Sequence, residues 1–112
     1  MTAINKQYIE KVADKIGREY ITTIIESGLI NMPKYRPIVE EAFGPDVDIE
    51  HESYARIERA PGDSIYIACL TFNAGPLPRF TIMNGANSDH LEVYKLKEID
   101  DLVERVHELR AQ

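Results

Sequence analysis

The stretch SIYIACLTFN, residues 64–73, decides the fold. β-Branched and aromatic side chains dominate it, and these suit a pleated strand. Ile65, Ile67 and Cys69 alternate with Tyr66, Ala68, Leu70 and Phe72, so both sides of the strand are apolar. An antiparallel strand with one wet face alternates apolar with polar residues. This one asks for cover on two sides.

Turn chemistry bounds it. APGD (60–63) precedes the strand and AGPLP (74–78) follows it. Proline fixes φ and glycine supplies a positive φ in such turns. Residues 47–59 alternate with period two upstream. Downstream, RFTIMN (79–84) and HLEVYKL (90–96) read as further strands around the turn GANSD (85–89). The short connections imply a four-stranded antiparallel meander.

Helical periodicity flanks the strands. Residues 4–28 carry two apolar rows at spacing four, Tyr8-Val12-Ile16-Tyr20-Ile24 and Ile9-Ala13-Gly17-Ile21-Ile25. They predict one long amphipathic helix that stops at Ser27-Gly28. Gly17, in its middle, marks a close approach or a kink. Asn31-Met32-Pro33 opens a shorter helix whose true first turn is set by Pro37, giving PIVEEAF before Gly44-Pro45. A last helix spans about Glu98 to Ala111, with Ile99, Leu102, Val103, Val106 and Leu109 as its stripe. The order is ααββββα, an α+β fold in one domain over 1–112, with the helices expected mainly on one face of the sheet.

The chain has 112 residues, 44% of them hydrophobic and 29% charged, as expected for a globular domain with a core of its own. One cysteine, Cys69, precludes an internal disulfide. The first residues, MTAINKQYIE, lack the basic-then-apolar order of a secretory signal, and no apolar run is long enough to span a bilayer. A cytoplasmic location is the expectation. The net charge of −6 argues against direct nucleic-acid binding. Residues 1–43 balance six basic against six acidic residues, whereas 44–112 carry seven against thirteen. The net acidity therefore lies beyond Phe43 and begins in GPDVDIEHES (44–53).

In that stretch Asp48, Glu50 and Glu52 are expected to share one side of a strand, opposite Val47, Ile49 and His51. Their spacing of about 7 Å is too wide for one small metal to bridge them all. Asp89, His90 and Glu92 lie in a distant strand, so no metal site and no cofactor are expected. Cys69, mid-strand, reads as a buried thiol rather than a nucleophile. His107 suits a helix C-terminus. No phosphate loop, nucleophile elbow, CxxC or HExxH is present.

The functional expectation rests on the sheet face left over. If Ile49, Ile65, Ile67, Phe80, Ile82, Leu91 and Val93 face the helices, then Tyr54, Tyr66, Leu70, Phe72, Met83, Tyr94 and Leu96 lie on the other side. Exposed, they exceed the apolar patch of an ordinary monomer. The first reading is a non-enzymatic interaction module of the inhibitor, immunity or adaptor kind. Tyr54, Tyr66, Leu70, Phe72 and Tyr94 would meet a protein partner, or a second copy in a homodimer, with Asp48, Glu50 and Glu52 as an acidic rim for basic groups. The competing outcome is that the first or second helix wraps over this face. An alternative function is a ligand pocket or enzymatic site between sheet and helices, lined by His51, His90 and Tyr66. A weaker one is mimicry of nucleic-acid charge. Leu77, held between Pro76 and Pro78, is a further candidate docking residue.

Overall fold

The computed structural model describes residues 3–26, 33–46, 48–72 and 75–112. It is an α+β fold with an antiparallel sheet and three α-helices. Helix α1 spans Ala3–Ile16, a single 3₁₀ turn Arg18–Tyr20, and strand β1 Thr23–Ile25. Helix α2 (Tyr35–Phe43) precedes β2 (Ile49–Ala60), β3 (Asp63–Phe72), β4 (Gly75–Asn84) and β5 (Glu92–Lys95). A second 3₁₀ turn, Leu96–Glu98, leads into α3 (Ile99–Arg110). The strand order is β1-β2-β3-β4-β5, each antiparallel to its neighbour.

The sheet thus has five strands rather than four. The extra one comes from the second half of the expected long helix. Gly17 adopts φ 117°, a left-handed conformation closed to most side chains, while its N–H still bonds Ala13 O at 2.9 Å. The next residues include the run Ile21-Thr22-Thr23-Ile24-Ile25. Five successive β-branched residues are poor helix formers and good strand formers. Thr23, Ile24 and Ile25 pair with Arg56, Ala55 and Tyr54. Tyr20 is pinned by the Arg110 guanidinium 3.6 Å above its ring and by an edge contact to His107. The expected stop at Ser27-Gly28 and the cap at Asn31-Met32 lie outside the described residues.

The two apolar sides of β3 sort the molecule into two cores. On one side Ile65, Ile67 and Cys69 join Ala55, Ile57, Phe80 and Ile82 beneath α1 and α3. Ile9, Val12, Leu102, Val106 and Leu109 complete this core, all fully buried. On the other side Ala68, Leu70 and Met83 lie under α2, whose Tyr35, Ile38 and Val39 are buried against them. The helices therefore cover both faces, with α2 opposite the other two. Burying each such side chain stabilises by about 1.5–3 kcal/mol. Arg59 secures the end of α3, donating from Nη1 to Leu109 O at 3.1 Å.

Gly17→Ala would force a Cβ into a left-handed backbone and against Glu19 Oε1 and Tyr20 Cδ2. The expected loss is about 1–3 kcal/mol, read as a lower urea midpoint with an unchanged slope.

Candidate functional site

The face expected to be bare is the one α2 covers. Leu70 is wholly buried, so no partner can reach it in this fold. Phe72 is half-buried, its ring 4.9 Å from Phe43 at the end of α2. Tyr54 and Tyr66 are half-buried beside each other, with ring centroids 6.2 Å apart. Tyr94 stands on the opposite face, packed on the α1–α3 core. Its hydroxyl donates to Glu92 Oε1 at 2.9 Å, and Glu92 also takes Arg105 Nε at 3.0 Å. Burial, and then the Glu92 carboxylate, push the Tyr94 phenol up to about 12.

A β-bulge splits the acidic run. The register slips between Ile49 and His51, which breaks the simple alternation. Ile49 then packs with the α2 cluster, and Glu52 is buried opposite Leu70 in the register. Asp46, Asp48 and Glu50 remain exposed. Val47 is outside the described residues.

The residues of the alternative pocket do not converge. His51 lies where β2 begins, its Nε2 3.5 Å from Glu50 Oε1. His90 precedes β5 at the far end of the sheet, its Nδ1 3.2 Å from Asp89 Oδ1. That hydrogen bond holds the Asp89 carboxyl below its usual value. Tyr66 belongs to the α2 side of β3. Among the described residues no group of three metal-ligating side chains occurs. No helix there is long and apolar enough to cross a membrane.

The most distinctive surface lies instead at one corner of the sheet. β4 runs from Gly75, but β5 pairs only with residues 79–82 of it. β5 stops because the chain turns at Leu96, where Glu98 Oε1 accepts the Lys95 N–H at 2.8 Å. The step so formed is a groove of about 580 Å³ lined by Leu77, Pro78, Arg79, Lys95, Leu96 and Lys97. Leu77 is 65% exposed and Leu96 40%. Arg79 stands directly opposite Lys95 in the antiparallel register. Like charges so placed repel. Among the described residues neither they nor Lys97 has an acidic partner. Arg79 Nη1 donates only to Pro78 O, at 3.2 Å. An adjoining groove of about 370 Å³ shares Leu96 and Lys97 and is lined also by Lys11, Lys15 and Asp100, with Lys15 Nζ 3.2 Å from Asp100 Oδ1.

The sequence signal for this corner was partial. The paired prolines drew notice to Leu77, but AGPLP reads as a loop. Its last four residues open β4 instead, and only the register reveals that Arg79 and Lys95 meet.

No protein-family model, curated protein sequence or solved structure matches the chain.

Cys69 is fully buried and its thiol is pushed up to about 12 by that burial. A thiol-specific reagent at pH 8 should leave the native protein unlabelled and modify Cys69 in full once denaturant is added. Rapid native labelling, followed by mass spectrometry, would contradict the buried placement.

Proposed function

We propose that the protein is a small acidic interaction module, of the inhibitor or adaptor kind, that holds a polypeptide at the corner where β4 outruns β5. One observation carries this reading: three cations with no acidic partner among the described residues surround two exposed leucines on a chain of net charge −6. The leucines offer apolar area to a docked chain. The cations select an acidic one and fix its orientation. The groove is a step between paired strands, with Arg79 and Lys95 held in register. The half-buried Tyr54, Tyr66 and Phe72 are held beside α2 and play a lesser part than the sequence suggests.

Leu77→Asp and Leu96→Asp are the direct probes. Each removes apolar contact worth about 1.5–3 kcal/mol, or roughly 10–100-fold in affinity. Binding should fall by that factor in affinity capture followed by titration of the captured polypeptide. The unfolding temperature should stay unchanged, because neither side chain belongs to a core. Undiminished capture by both variants would remove the groove from the function.

A further inference from the structure

We infer that the occupant of the basic groove is a second copy of this chain, which presents Asp46, Asp48 and Glu50 at the start of its β2. The inference rests on the proposed role of the groove and names its partner. The groove calls for exposed carboxylates that its own copy cannot bring to it. The chain carries three at the start of β2, Asp46, Asp48 and Glu50, all exposed. Ile49 beside them is committed to the α2 cluster, so the contact is carried by charge.

Within one molecule the two surfaces do not meet. Ile49 pairs with Phe72, and Phe72 with Gly75, so β3 lies between β2 and β4. At about 4.8 Å per strand, β5 is roughly 14 Å from β2. None of Asp46, Asp48 or Glu50 forms an ion pair with Arg79, Lys95 or Lys97 among the described residues.

Topology places both surfaces at one end of the sheet. β2 begins there, and so does β4, while β5 ends there. Two copies facing each other end to end, related by a two-fold axis, set the acids of each beside the cations of the other. The contact is made twice and closes on itself. Each Arg79–Lys95 pair then gains carboxylates that relieve its repulsion. An anionic bilayer fits less well: the net charge of −6 opposes approach, and the leucines line a step rather than a flat patch.

Charge reversal tests the pairing. Mass is read by light scattering and sedimentation over a wide range of protein concentration. The wild-type chain should reach twice its monomer mass. Lys95→Glu/Lys97→Glu and Asp48→Lys/Glu50→Lys should each weaken self-association by tenfold or more. Mixed one to one, the two variants should form a heterodimer, since both of its contacts again join opposite charges. All altered residues are exposed, and circular dichroism melts verify folding; Leu77→Asp provides an uncharged-to-charged variant that should also dissociate the dimer. A wild type that stays monomeric throughout, or variants that dimerise as well alone as mixed, would overturn the inference. Should the monomer still capture a foreign acidic polypeptide in a Leu77-dependent way, the proposed function survives and its partner is another protein. Binding by the monomer to phosphatidylcholine–phosphatidylserine vesicles, lost in Lys95→Glu/Lys97→Glu, would overturn both.

Discussion

The structure depends on a single strand that must be dry on both sides. Ile65, Ile67 and Cys69 on one face of β3, and Ala68 and Leu70 on the other, are all completely buried. Several kcal/mol would be lost by wetting either set. A chain of this size has few helices to spend, and each is committed to that task. α1 and α3 supply the apolar stripes that cover one side, and α2 the shorter roof on the other. The position of everything else follows from how far those roofs reach.

The roof of α2 reaches the middle of the sheet and stops. It covers β3 and the last residues of β4, where Met83 is buried with Tyr35 of α2. Val93 on β5 is left 40% exposed. The candidate site is therefore a remainder, the part of a two-sided sheet that one short helix cannot cover. Arg18, Arg56, Arg59 and Arg105 are by contrast each engaged by a carboxylate, and exposed pairs of that kind contribute little to stability.

Much of this was legible from side-chain patterns. SIYIACLTFN is β3 to within a residue at either end, and the last helix matches α3 as closely. Both carry a periodicity that one structure alone satisfies. Residues 4–28 do not. Isoleucines at spacing four satisfy a helix, yet Ile24 buries as well from an edge strand. Gly17 hinted at a kink, but the consecutive β-branched residues after it held the decision. Other sides were misjudged for other reasons. A one-residue bulge after Ile49 turns that residue toward α2, and no composition rule locates it. Tyr94 was misplaced for want of the β4–β5 register, which sets it opposite Phe80, whereas Leu70 lies on the expected side but under the cover of α2. The groove was hidden because its cations come from two strands that meet only through pairing.

The ends of the sheet carry a consequence for assembly. β1 has three residues and β5 four, and Pro76 and Pro78 deprive the overhang of β4 of two amide donors. The corner where β4 outruns β5 therefore offers an incoming strand few main-chain donors in register. It is a poor template for strand addition, and any contact made there rests on side chains.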